Sequence, residues 1–325
     1  MRSRPPALHP ARRQRGAALL TAMIIVTLVA TLAAAMVWQQ WRAVQVESAE
    51  RARAQSAWIL SGALDFARLI LREDMKSQTG SVMTALTEPW ATPLAESRLS
   101  TFLAVDKSNA DDGPEAFLSG SMSDMQGRYN LMNLTTLVAK GQPDEELLAF
   151  GRLCVSLGLD GGVADRIATS LRAANAASTT AAKPLWPATI AQLSWLGVDQ
   201  TTIQTLTPYV TMLPRATRLN VNTASKEVLG AVIDSPVDAD RLVKIALRTP
   251  FKDIATLQVQ VPALTLRTAA LDVKSSFFEV RGRLRLVDRV LTERSLVERL
   301  SSIQGSQSIK VLQRERIAGL EQLGS

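Results

Sequence analysis

The residues that most often do chemistry are scarce in this chain. Its only histidine is His9 and its only cysteine is Cys154. Ser-His-Asp and Cys-His catalysis need a histidine beside the nucleophile, and most transition-metal sites need several His or Cys ligands. Cys154 sits on an apolar helical pattern beside Leu148 and Leu157, so a buried core thiol is expected rather than a nucleophile. A lone cysteine also excludes an intramolecular disulfide. The densest carboxylates, Asp111-Asp112-Gly113 and Asp238-Ala239-Asp240, fit no EF-hand spacing and stand among turn and capping residues, which makes solvated loops the expectation. No set of acid, base and nucleophile stands out, so the chain is expected to be non-enzymatic, with no catalytic residue and no metal ligand.

The strongest signal is topological instead. Residues 17–41 carry no charge, whereas Arg2, Arg4, Arg12, Arg13 and Arg15 precede them with no acidic residue. An apolar stretch of about 20 residues spans a bilayer core, and the positive-inside bias then holds the amino terminus in the cytoplasm and sends the rest across. Trp38 and Trp41 fall where an aromatic belt would lie at the far interface. From Trp41 to Leu71 the residues Val44, Ala54, Trp58, Ile59, Ala63, Phe66, Leu69 and Ile70 recur among charges with no Pro. This reads as one long helix, membrane-embedded in its first half and amphipathic in its second. An uncleaved signal anchor fits the same facts.

Periodicity organises the remainder. Short strand-like runs over Arg98–Val105 and Ala116–Met122 lie among loop signals in residues 75–135. Helical spacing follows over Glu145–Leu157, Gly162–Ala174, Thr189–Leu196, Thr201–Thr207, Ala224–Ile233, Asp238–Leu247 and Pro250–Val259. Leu185-Trp186-Pro187 and Trp195-Leu196-Gly197 read as core anchors and turns. The tail changes period, and Phe277–Leu286, Val290–Leu300 and Ile309–Arg316 read as three half-exposed antiparallel strands. The net charge of +7 includes the five leading arginines, and without them about +2 is left, too little for a phosphate-binding footprint.

A basic leader ending in Gly before an apolar helix resembles the class III leader of type IV pilins and type II secretion pseudopilins. In that family a membrane peptidase cuts after the glycine, here Gly16, leaving Ala17 as the new terminus; the missing side chain lets the backbone enter a crowded protease site. Most members carry Glu at the fifth mature position, where this chain has Thr21. That departure resembles the general secretion pathway protein K family, large minor pseudopilins thought to sit at the filament tip.

Two further segments carry the resemblance. Ser123-Asp124-Met125-Gln126-Gly127-Arg128-Tyr129-Asn130-Leu131-Met132-Asn133-Leu134 is similar to a strand-turn-strand of the family, and alone it reads as an ordinary hairpin with Gly in the turn. The stretch Leu213–Leu229 closely resembles the family's most characteristic sequence. Within it Asn220, Asn222 or Thr223 is expected to cap a helix beginning near Ala224, with Glu227 in its first turn. Similar sequence occurs in helix-hairpin-helix DNA-binding modules, but the turn after Leu229 is acidic and carries Pro236 where glycines would approach phosphate, so no nucleic acid is expected.

The resemblance implies an α+β fold: a long N-terminal transmembrane and amphipathic helix packed on a pilin-like antiparallel sheet, with a large inserted all-α domain. The implied organisation is a cytoplasmic leader over 1–16, a transmembrane helix over 17–38, its amphipathic continuation over 39–72, the first part of the sheet domain over 73–139, the inserted domain over 140–273, and completing strands over 274–325. It also implies a single-pass inner-membrane protein with its bulk in the periplasm. The implied partners are minor pseudopilins I and J, the prepilin peptidase and the major pseudopilin, and the implied role is to initiate and cap the pseudopilus for export across the outer membrane. Family K subunits carry an Asp-x-Asp and acid-rich loop implicated in calcium binding. The corresponding segment, within 168–183, holds no carboxylate and includes Arg172, so that site is expected to be lost and no cofactor is expected. The competing readings are an uncleaved envelope scaffold and a competence-type DNA-binding protein.

Overall fold

The computed structural model describes residues 15–77, 83–98, 116–136, 138–139, 141–176, 184–262, 267–286, 289–300 and 308–317. The leader up to residue 14, all but Arg98 of the strand expected over Arg98–Val105, Asp111-Asp112-Gly113 and residues 177–183 of the expected calcium segment lie outside the described residues. By internal contacts the chain divides into two compact units, one ending at Trp58 and one beginning at Ile59.

Helix α1 spans Arg15–Ser77. In the first unit it stands alone, and its apolar side chains from Leu19 to Val46 are all exposed. The indole rings of Trp38 and Trp41 lie 5.5 Å apart. Beyond the apolar run, Arg51 pairs with Glu47 at 2.5 Å and Arg53 with Glu50 at 2.6 Å, the one-turn spacing that suits a solvated helix face.

In the second unit, α1 from Ile59 onward lies on an antiparallel sheet. Strands β1 (Leu94–Arg98) and β2 (Ala116–Asp124) precede the helical part. That part contains four two-residue strands, β3 (Tyr129–Asn130), β4 (Val210–Thr211), β5 (Leu219–Asn220) and β6 (Leu271–Asp272). After it come β7 (Phe277–Leu286), β8 (Arg289–Arg299) and β9 (Ile309–Ile317), and the sheet order is β1-β2-β7-β8-β9. Leu60, Leu64, Ala67 and Leu71 recur every three or four positions and are buried against Leu118, Phe278, Val280, Leu284, Val297 and Ile309. At one point a Cβ on Gly282 would stand 3.3 Å from the Leu60 side chain, so the bare backbone admits the helix there. Phe66 and Leu69, on the opposite side of α1, stay 42% and 41% exposed. The stripe facing the sheet is therefore one residue out of step with several positions that composition suggested.

The helical part follows β2. It comprises α2 (Glu145–Ser156), α3 (Gly162–Asn175), a 3-10 turn over Ile190–Leu196, α4 (Gln200–Leu206), α5 (Lys226–Ile233), α6 (Pro236–Arg248) and α7 (Ile254–Gln260). Its core runs from Tyr129, Leu131 and Leu134 through Phe150, Leu153, Ile167 and Leu171 to Leu271 and Val273. Cys154 is buried within it, and burial pushes its thiol up to about 12. Parallel pairing of β3 with β4 ties the start of this part to its middle, and pairing of β5 with β6 ties the middle to its end.

Three expectations need correction. The segment after Asp124 is no hairpin: a 3-10 turn over Met125–Gly127 leads into β3, whose partner is β4 more than 80 residues away. Gly127 ends this 3-10 turn and also permits close packing, since a Cβ there would come 2.8 Å from the carbonyl oxygen of Thr223. Of the two segments expected as core anchors and turns, Trp186 and Leu196 do pack against the core and Gly197 at φ 78° ends the turn, but Trp195 is 53% exposed and Leu185 71% exposed, so those two do not anchor it and Leu193 does.

Candidate functional site: a bare apolar helix and a buried polar junction

Two regions of this molecule could carry function, and each unit holds one. In the first, Gly16 and Ala17 occupy the opening turn of α1. Glycine costs about 1 kcal/mol relative to alanine inside a helix, so Gly16 weakens this turn relative to alanine there. Thr21 donates its hydroxyl to the carbonyl of Ala17 at 2.8 Å and of Ala18 at 3.0 Å. Thr27 and Thr31 bond back along the helix in the same way. Each hydroxyl is thus satisfied within its own helix, which removes the cost of a bare polar group in hydrocarbon. The helix from Ala17 is long and apolar enough to cross a membrane.

In the second unit, the two family-like segments meet. Asparagine side chains act as substitute backbone and clip one segment to the other. Asn130 donates to the carbonyl of Arg215 at 2.8 Å and accepts from the amide of Leu213 at 3.2 Å. Asn133 donates to the carbonyl of Thr217 at 2.9 Å and accepts from its amide at 3.0 Å. Asn222 does the same to both polar groups of Phe251, at 2.9 and 2.8 Å. Buried amides of this kind replace strand ladders where chain geometry permits none.

Asn220 lies at the centre and is fully buried. Its Nδ2 donates to the carbonyl of Thr84 at 3.0 Å, to Asp124 Oδ2 at 2.9 Å and to Ser275 Oγ at 2.9 Å, while its Oδ1 accepts from the amide of Asn222 at 3.0 Å. Asp124 collects further donors: the hydroxyls of Thr223 and Ser275, each at 2.6 Å, and the amide of Gln126 at 2.8 Å. Burial raises the Asp124 carboxyl above its usual range, although all these donors pull it down. Next to it Arg299 bonds Asp74 at 3.1 Å, Thr84 Oγ1 at 2.7 Å and the carbonyl of Ser275 at 2.8 Å. Burial lowers this guanidinium's pKa, against the pull of Asp74, Glu88 and Asp124. Glu88, accepting from Trp90 Nε1 at 2.6 Å, is raised by burial in turn. This cluster joins the end of α1, the loop before β1, the end of β2, β5 and the segment leading to α5, the residues just before β7 and the end of β8 into one joint.

The helix cap is Ser225, whose hydroxyl accepts from the amide of Val228, with α5 beginning at Lys226. Asn220, Asn222 and Thr223 are not its cap, because their side chains are already committed to Thr84, Asp124, Ser275 and Phe251. Glu227 does lie in the first turn. Ser225-Lys226-Glu227 is itself a readable start signal, whereas Asp124, Arg299 and Asp74 give no local sign of their roles. Asp238 and Asp240 lie on α6, bonded to Ser235 and Lys244 respectively, and do not converge on a common point. Among the described residues no group of three or more His, Cys, Asp or Glu could hold a metal ion.

Known proteins share both the sequence and the fold. Two family models described as type II secretion system protein K match residues 127–215 and 219–276, the two halves of the clipped region. Type II secretion system protein K of Pseudomonas aeruginosa is 28% identical over 304 residues, covering 86% of each chain. Its namesake in Pectobacterium carotovorum is 26% identical over 340 residues, covering 93% of this chain and 96% of the relative. A chain of the crystal structure of the GspK-GspI-GspJ complex from the enterotoxigenic Escherichia coli type 2 secretion system shares the fold, with a TM-score of 0.64 at 20% identity over 83% of this chain and 99% of that one. With these matches, this chain is similar in sequence over most of its length to type II secretion system protein K and shares the fold of the GspK complex chain.

Proposed function

We propose that this chain is a minor pseudopilin of a type II secretion system, anchored in the inner membrane by α1 with its amino terminus in the cytoplasm and its bulk in the periplasm. It works by assembly and not by catalysis, as part of a tip complex with minor pseudopilins I and J that starts and caps the pseudopilus. The observation that carries this reading is the bare apolar helix with Thr21 bonded to its own backbone. An apolar face of this length is stable only in lipid or against other helices. A hydroxyl already satisfied inside the helix needs no counter-charge from a preceding subunit, as befits a subunit with none before it. The neighbour structure supports the choice of partners, since its GspK is in complex with GspI and GspJ.

Co-expression with the minor pseudopilins I and J of the same host tests this. A tag on one partner should retain the chain in a stable ternary complex after membrane extraction, and a folded chain that never co-purifies overturns the reading. The Thr21→Glu variant should fold and insert but enter assembly in a different order; an unchanged order in reconstitution removes that role from residue 21.

A further inference from the structure

On the face of the sheet away from α1, a cleft of about 480 Å³ opens between the strands and the helical part. Its floor is formed by Glu279 and Arg281 of β7, Arg294 of β8 and Glu315 of β9, and its wall by the segment around Thr189 and the end of α4. Most floor charges are matched. Arg281 meets Glu279 at 2.6 Å, and Arg294 meets Glu315 at 2.7 Å and Glu279 at 3.8 Å. Arg128, half-buried just before β3, lines the same cleft and forms no ion pair with a carboxylate among the described residues. Loss of water lowers the pKa of its guanidinium, Arg281 and Arg294 lower it further, and Glu279 is the charge that compensates most.

A half-buried guanidinium that loses part of its water and meets no carboxylate is an uncompensated charge, and proteins keep such groups where a ligand completes them. The cleft contains three arginines against two glutamates, so it has room for one more negative charge. Its other polar groups, from Thr189, Gln200, Gln204 and Gln313, are hydroxyls and amides of the kind that meet peptide backbone. The space is also far larger than a single small anion fills, and falls within the range of sites that take peptides and other extended ligands.

We propose that this cleft binds an acidic segment of a partner polypeptide, one of whose carboxylates pairs with Arg128. Recognition is by bidentate guanidinium and carboxylate contact, with the surrounding amides and hydroxyls holding the segment's backbone. The proposal does not depend on the chain's place in the pseudopilus, because it concerns a face of the second unit that α1 does not cover.

The test uses the full chain in detergent and an array of fluorescent heptapeptides with a central Asp and varied flanks, beside a matched array with Asn at that position. Members of the Asp array should bind at least about tenfold more tightly than their Asn counterparts, and Arg128→Gln should abolish that difference while Arg128→Lys keeps part of it. The melting temperature of Arg128→Gln should be equal to or above that of the parent, since an unpaired charge is removed. Equal binding of the two arrays, binding unaffected by Arg128→Gln, saturation by sodium acetate alone at the same affinity, or a marked drop in melting temperature of Arg128→Gln each overturns the proposal.

Discussion

Replacing Asn220 with alanine tests whether the polar junction holds the second unit together. Asn220 touches no solvent, so what it leaves behind is not rescued by bulk water. Its removal orphans two buried backbone groups, the carbonyl of Thr84 and the amide of Asn222, and takes one of four donors from Asp124. Each orphaned backbone group costs about 1–3 kcal/mol, and a hydrogen bond to a charged group about 1.5–3 kcal/mol. The central expectation is a loss of about 4–6 kcal/mol, a large share of the stability of an ordinary domain. At about 2–4 °C per kcal/mol for a unit of this size, the midpoint should fall by at least about 8 °C. Thermal unfolding of the full chain in detergent, followed by circular dichroism, measures it. A fall of less than about 3 °C would refute the claim that these bonds carry the joint.

Other consequences follow from the same geometry. Gly127→Ala would place a Cβ 2.8 Å from both the carbonyl oxygen and the hydroxyl of Thr223, so it should destabilise by about 1–3 kcal/mol in the same melt, and a neutral result would mean that this crossing is loose. Burial raises the Glu88 carboxyl, so its contribution to stability is fully present below the ordinary carboxylate range and is lost as pH rises through the raised folded value. Glu88→Gln, which can still accept from Trp90, should therefore gain on the parent between about pH 4 and pH 7; a flat or opposite difference across that range contradicts the sign.

Much of the fold was legible. The strands β7, β8 and β9 declared themselves by alternation, as in Glu279-Val280-Arg281-Gly282-Arg283-Leu284, where the odd positions face away from α1 and the even positions face it. Helices α2 and α3 were readable because Leu153, Ile167 and Leu171 recur at helical spacing around one core. The junction was not, for a physical reason. An asparagine that caps a helix and one that clamps a distant backbone look alike locally, and the partners of Asn220 lie 136, 96 and 55 residues away. The role of Gly127 was hidden likewise, because close approach to Thr223 is a tertiary fact that mimics a turn signal in sequence. The exposed Trp195 shows the converse, since a large apolar residue in a helical pattern need not face the core. At the amino terminus the sequence was nearly sufficient, because a charge-free stretch from 17 to 41 needs no tertiary partner to be recognised.

The central claim, that this chain is processed and assembled as a pseudopilin, meets its most direct test at its own amino terminus. Protein extracted from membranes of its native host, intact and unreduced in length by handling, is analysed by mass spectrometry for its first residue. A start at Ala17, with the leader through Gly16 removed, is the expected result. A leader still attached in a host with an active prepilin peptidase would contradict it and leave an uncleaved, signal-anchored envelope protein.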